Sequence, residues 1–197
     1  MAATLEKNQE VLTDEPHAFR WTADEYEKLT EYGVFNDRRV QLLEGEIVEM
    51  AAMNSPHRVA MLKTGAALQR ALPTKLIQAQ MPMRIGNSEP EPDYAVLTGS
   101  VDDYLDSHPE KALLIVEVSD TTLREDQGRK ARIYASANIA EYWILNLKTR
   151  ELEVLREPAS GAYTLKRSLN EDEKVSPLLA PETQIAVADM LPPVQTP

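Results

Sequence analysis

Cysteine is absent from the 197 residues, which excludes disulfides, zinc–thiolate sites and cysteine nucleophiles. Long apolar runs are also missing: none approaches the ~20 residues that a helix needs to span a bilayer. The first residues, MAATLEKNQEVLTDEPH, lack the charged-then-apolar layout of a signal peptide. These absences together lead us to expect a cytoplasmic protein. Internal repeats and low-complexity blocks are lacking, so solenoids and arrays are set aside. Positive charge is scarce, with 21 Lys and Arg against 32 Asp and Glu and a net charge of −11. A protein that grips nucleic acid mainly by neutralising phosphates is basic on at least one face. The composition therefore argues against tight non-specific DNA binding and leaves room only for a local basic patch. The excess acidity fits carboxylates gathered around a metal or, more simply, a solubilising surface.

What is present is an ordinary globular balance, 43% hydrophobic and 27% charged, enough for one sizeable core. We expect a flexible arm over residues 1–19, a single domain over 20–190, and a proline-rich tail over 191–197. Thr22-Ala-Asp-Glu25 is a capping box, which starts a short helix that stops at Gly33. Residues 40–50 read as a hairpin around Glu44-Gly45. Ser55-Pro56 reads as cap and first turn of a helix that ends at Pro73. Strand candidates follow at 75–80, 82–86 and 93–98, then a polar connection over 99–111. LLIVEV, residues 113–118, is the most apolar run and predicts a central buried strand. A helix over 123–137 and a strand over 141–147 complete a right-handed parallel crossover, and Asn146 to Arg150 turn the chain into another strand. The expected fold class is α/β: a mixed central sheet with helices packed on it.

Four positions carry candidate chemistry. Glu117 ends the most apolar strand, where ligand sites collect in such sheets. A carboxylate there is costly unless paired, exposed or metal-bound; its plainer reading is a rim carboxylate in water, or a partner for an arginine such as Arg124. Asp93 follows Pro92, and on its own merely opens a strand. Lys130 lies in the next helix, where most lysines are solvated. Glu46 sits in a Glu-Gly-Glu hairpin, where exposure is the ordinary outcome. His57, after the helix start, is a ligand, a base or an outer-turn polar residue. Arg124, Arg129 and Arg132 either meet phosphate or pair with Glu125 and Asp126. Taken together, two carboxylates from neighbouring strands and one lysine suit phosphodiester hydrolysis, which needs hard oxygen ligands and a nearby positive charge.

The stretches EPDYAVL and LLIVEVSDTTLREDQGRKARIYASANIAEYWIL resemble the Uma-two family of putative restriction endonucleases, within the PD-(D/E)XK nuclease-like superfamily. RVQLLEGEIVEM followed by Ser-Pro-His matches its N-terminal pattern, and the resemblance covers residues of about 20 to 190. The specific combination is Pro92-Asp93, Glu117-Val118-Ser119, Asp126 with Lys130, Tyr134-Ala135 and Glu141-Tyr142-Trp143. The resemblance implies a restriction-endonuclease-like core. It implies Mg²⁺ (Mn²⁺ possible in its place) bound by Asp93, Glu117 and the Val118 carbonyl, with Glu46 completing the acidic site and Lys130 as the catalytic lysine. Two departures stand out. The superfamily's simple form places the lysine two residues after the glutamate, where this chain has Ser119. Gln41 stands where relatives carry Glu, which leaves Glu44 and Glu46 both available as the N-terminal acid.

The implied activity is a Mg²⁺-dependent endonuclease that cuts DNA by in-line attack of a metal-activated water. A homodimer is expected if both strands of a duplex are cut. The alternatives are a catalytically inactive nucleic-acid or protein binding module on the same fold, or an enzyme acting on a small phosphoester. A nuclease requires Asp93, Glu117 and Lys130 around one cavity, with a groove lined by residues such as Arg58, Arg84, Arg124 and Arg129. Alanine at Asp93, Glu117 or Lys130 is expected to abolish cleavage and leave the fold intact.

Overall fold

The structure, a computed structural model, describes residues 18–194. Nearly all of the arm expected over 1–19, and the last three residues of the tail, lie outside the described residues. Helix α1, Ala23–Glu31, starts at the expected capping box: Thr22 Oγ1 accepts from the Glu25 amide and the Glu25 carboxylate accepts from the Thr22 amide. The chain turns through Gly33 in the left-handed region at φ 72°. Strands β1, Val40–Leu43, and β2, Glu46–Glu49, form the predicted hairpin over Glu44-Gly45. Both turn residues have positive φ, which glycine tolerates best at the second position.

Helix α2, Ser55–Ala71, begins one residue earlier than the sequence suggests. Asn54, not Ser55, is the cap, and its side-chain oxygen accepts from the His57 amide at 2.9 Å. Asparagine is an equally good cap, and Pro56 fits a first turn whose N–H groups are unpaired anyway. Gly65 lets this helix approach the sheet closely. A Cβ there would lie 2.6 Å from the Tyr94 hydroxyl oxygen, and that hydroxyl donates to Met61 O at 2.6 Å.

The main sheet has six strands in the order β3-β4-β5-β6-β7-β8: β3 Leu76–Ala79, β4 Tyr94–Leu97, β5 Leu114–Ser119, β6 Glu141–Asn146, β7 Glu151–Ala159 and β8 Ala162–Leu169. Only β5 and β6 run parallel; the other neighbours are antiparallel. The sheet is mixed and β5 is central and buried along its whole length, as its composition predicts. The strand expected over 82–86 does not form. Pro82 and Pro90 lack the N–H groups that a ladder needs, Gly86 turns the chain at φ 55°, and only an isolated Ile85–Ser88 bridge remains. A 3₁₀ turn, Val101–Tyr104, occupies the polar connection.

The helix expected over 123–137 is interrupted. It runs as α3, Leu123–Glu125, a π turn, Asp126–Lys130, and α4, Ala131–Ser136. Short strands β9, Lys174–Val175, and β10, Ile185–Ala186, pair near the C-terminus. Alternation along β5 sorts the core into two layers. Val116 and Val118 pack with α2 residues such as Met61 and Leu68. Ile115 packs with Tyr134, Tyr142 and Ile144 beneath α4. Glu117 falls on the α4 face, and that placement sets the chemistry described below.

One buried acid titrates with the fold. Glu89 is 3% exposed, and its Oε1 has no hydrogen-bond partner. Burial and the neighbouring Glu27 push its pKa up to about 7. A folded-state pKa above the unfolded one means stability that is complete at low pH and lost as pH rises from about 4.5 through 7. Glu89→Gln is therefore expected to stabilise the protein at pH 8 by about 2–3 kcal/mol and to change little near pH 4.5. Urea denaturation at the two pH values reads the difference; equal effects at both would contradict it.

Candidate functional site

Asp93 precedes β4, Glu117 lies on β5 and Lys130 ends the π turn. The antiparallel pairing of β4 and β5 sets Tyr94 opposite Val116, which brings Asp93 beside Glu117 and Val118. Asp93 Oδ2 accepts from the Val118 amide at 2.7 Å and meets His57 Nε2 at 3.2 Å. Its other oxygen, Oδ1, has only a longer contact, with Gln80 Nε2 at 3.3 Å. Glu117 is held in the same way. Its Oε1 accepts from Lys130 Nζ at 2.8 Å and from the Tyr134 hydroxyl at 2.9 Å. Its Oε2 has only the Asp93 amide at 3.4 Å. Each carboxylate thus has one oxygen fixed and one loosely held.

The electrostatics follow from burial. Glu117 is 3% exposed and Lys130 6%, so each charge depends on the other. Burial raises the Glu117 carboxyl above its ordinary range; Lys130 opposes that rise, and Asp126 and Asp93 add to it. Burial alone would lower the Lys130 ammonium, but Glu117 and Asp126 outweigh it and keep it charged. Asp126, also buried, lies 3.7 Å from Lys130 Nζ and accepts from Thr122 Oγ1 at 2.7 Å; its own pKa is raised, chiefly by burial. Burial would lower the His57 imidazole, but Asp93 raises it past that effect. The Tyr134 hydroxyl, raised far above its ordinary value by burial and by Glu117, stays protonated and donates.

These groups open on a cavity of about 660 Å³, lined by His57, Gln80, Asp93, Glu117, Val118, Asp126 and Lys130 among others. Of the anticipated cations, Arg124 and Arg129 line it. Arg58 does not, and Arg84 pairs with Asp24 and Glu27 and lines a different cavity. Glu46 is not among the lining residues either. Its Oε1 lies 2.6 Å from Arg20 and its Oε2 accepts from Arg129 at 2.8 Å. The structure therefore gathers Asp93, Glu117, Val118 and Lys130 and leaves Glu46 outside. Glu44, the other candidate, is held by both Nε and Nη2 of Arg132. Gln41 does line the cavity.

Three contributors escaped the sequence reading as site residues. Tyr134 and Asp126 stand out only as members of the family pattern, and their spacing of four from Lys130 was the available signal. Gln80 gives no such signal; it reaches Asp93 because the chain leaves β3 there at φ 49°.

A model of the Uma2 family, described as putative restriction endonuclease, matches residues 23–188. The chain belongs to this family. Membership supports a nuclease function for the chain, and it agrees with the resemblance seen in the sequence. Among solved structures, this Uma2 chain is similar to a putative nuclease belonging to DUF820 from Anabaena variabilis. The TM-score is 0.64 at 15% identity, over 86% of this chain and 96% of that one; at such identity the likeness speaks for the fold. The type IIG restriction endonuclease BpuSI overlaps at a TM-score of 0.35 and 17% identity, over 58% of this chain and 14% of that one, too loosely to argue from. No curated protein gives a significant match.

Whether the donors suit a cation can be judged from the side chains. Among the described residues, no group of three or more His, Asp and Glu is close enough to hold a metal unaided. Two carboxylates with one loosely held oxygen each are the donor set of a hard cation completed by waters and substrate phosphate, the usual arrangement for Mg²⁺. The residues fit such an ion.

Proposed function

We propose that this chain is an endonuclease that hydrolyses DNA phosphodiester bonds with a divalent cation, Mg²⁺ or Mn²⁺, held by Asp93 and Glu117 with the Val118 carbonyl. The observation that carries this reading is the meeting of those two carboxylates and Lys130 at one cavity, each carboxylate fixed through one oxygen only. When bound, the cation would polarise a phosphoryl oxygen and supply hydroxide-like water at neutral pH. The rest falls to the side chains. The Val118 amide and His57 aim Asp93, while Tyr134 and Lys130 aim Glu117. Lys130 also places a fixed positive charge beside the phosphoryl group, where negative charge grows as a water oxygen bonds to phosphorus and the ester P–O bond breaks. The water's proton passes to solvent or to the departing oxygen.

Calorimetric titration with Mn²⁺ tests the metal assignment. Asp93→Asn is expected to weaken binding roughly ten-fold or more, by analogy with the loss that even an outer-shell substitution causes. Equal affinity in wild type and variant would overturn the assignment. Cutting both strands of a duplex in one encounter favours two such sites, so a homodimer is the expected assembly. Sedimentation of the protein on DNA reads this, and a strictly monomeric species would leave two successive nicks as the route to a double-strand break.

A further inference from the structure

Arg129 sits on the wall of the cavity next to Lys130, yet its charge is spent elsewhere. Its Nη1 donates to Glu46 Oε2 at 2.8 Å, and its Nε lies 3.2 Å from Glu125 Oε1 and 4.0 Å from Glu44 Oε2. Glu46 is the residue that the family resemblance would make a metal ligand. The geometry points to a different role, and it rests on the nuclease reading above. We propose that Arg129 is the cavity's phosphate-binding cation, and that Glu46 is its counter-ion, which holds it until a nucleic-acid phosphate takes its place.

Three observations support the exchange. The pair is partly solvated, with Arg129 27% exposed and Glu46 41%, and such pairs are weak enough to break at little cost. The hairpin also keeps its charge balance when Arg129 leaves. Glu46 retains Arg20 on its other oxygen, and Glu44 retains Arg132. Arg129 is thus the third arginine for two hairpin carboxylates. Finally, Arg129 meets Glu46 through Nη1 alone, whereas a phosphate offers two oxygens to the guanidinium fork at once. An acidic chain with a net charge of −11 thereby adds Arg129 to the exposed Arg124 on the same wall as cations to offer a polyanion.

The two roles for Glu46 predict opposite signs. Binding of a short fluorescein-labelled DNA duplex is followed by anisotropy with Ca²⁺ present, and Mn²⁺ affinity is measured separately by calorimetry. Glu46→Gln removes the shortest carboxylate contact of Arg129, leaving Glu125 and Glu44 near its Nε, and is expected to tighten duplex binding up to about five-fold with Mn²⁺ affinity unchanged. Arg129→Ala is expected to weaken duplex binding roughly ten-fold and to reduce the slope of log affinity against log salt by about 0.9. Weaker Mn²⁺ binding in Glu46→Gln would make Glu46 a metal ligand and overturn the proposal, as would an unchanged salt slope in Arg129→Ala. Wild-type protein that binds Mn²⁺ but no duplex would remove DNA as the substrate. That outcome is a failure of the underlying reading and is distinct from the other two.

Discussion

Lys130→Met is expected to lose both catalysis and a large part of the protein's stability. The Lys130 ammonium is the only cation within 4 Å of the Glu117 and Asp126 carboxylates among the described residues, and their side chains are 4% and 1% exposed. Methionine fills the space and leaves two buried carboxylates without a counter-charge. Breaking a buried pair by removing one partner costs about 3–5 kcal/mol. The variant partly escapes by protonating those acids, whose pKa values burial already raises. A raised folded-state pKa means stability that is present at low pH and lost as pH rises. The destabilisation is therefore expected to be greater at pH 8 than at pH 5, as read by urea denaturation. Cleavage, assayed well below the midpoint of unfolding, is expected to fall roughly 100- to 1000-fold, the loss typical of one preorganised electrostatic donor. Adding Glu117→Gln to Lys130→Met should recover stability and not activity. A single Lys130→Met variant as stable as wild type at pH 8 would mean that the pair is not charged in the folded protein. The sequence suggested that alanine at Glu117 or Lys130 would leave the fold untouched; their burial as a pair leads us to expect a loss of stability instead.

Glu141→Ala is expected to produce a comparable loss of stability with no loss of metal affinity. Glu141 opens β6 and is fully buried. Its Oε1 accepts from Trp143 Nε1 at 2.9 Å and from Arg156 Nε and Nη2 at 2.9 and 2.5 Å, and its Oε2 accepts from the Leu178 amide at 2.7 Å. Arg156 Nη2 in turn donates to Ser176 O at 2.6 Å. One carboxylate therefore ties β6, its register partner on β7, and the segment at 176–178 together. Alanine would leave a largely buried guanidinium, an indole N–H and a backbone amide unpaired. We expect a cost of about 3–5 kcal/mol and a fall in Tm of roughly 10 °C or more. Differential scanning fluorimetry and Mn²⁺ calorimetry on the same preparation separate the effects. A variant that melts normally but loses Mn²⁺ would move Glu141 from structure to site.

These two cases bear on what the sequence can reveal. Glu141-Tyr142-Trp143 belongs to the pattern that marks the family, yet its glutamate works in the scaffold, 0% exposed and away from the cavity. A shared motif records that a residue is needed and does not say for what. The central strand was legible because a run with five apolar residues in six, four of them consecutive, has few other stable places, and Glu117 stands out against them. That Lys130 would reach Glu117, with serine at 119, was legible only by resemblance. Its physical means, the π turn Asp126–Lys130, was not. Residues four apart share one face of a helix, so Asp126, Lys130 and Tyr134 could be read as one face from their spacing alone. That they meet around Glu117, and that a π turn carries two of them, is announced by nothing in hydrophobic periodicity. That Glu46 lies outside the cavity wall was not legible for a related reason. Its direction is set by Arg20 and Arg129, and contacts so distant in sequence leave no local trace.

Nicking of supercoiled plasmid DNA tests the central claim most directly. Wild-type protein is assayed with Mg²⁺, with Mn²⁺ and with EDTA, beside folded Asp93→Asn prepared in parallel. The account predicts conversion to open-circular or linear DNA by wild type with either metal, none in EDTA, and none by Asp93→Asn. Equal nicking by the variant, or nicking undiminished in EDTA, would contradict it.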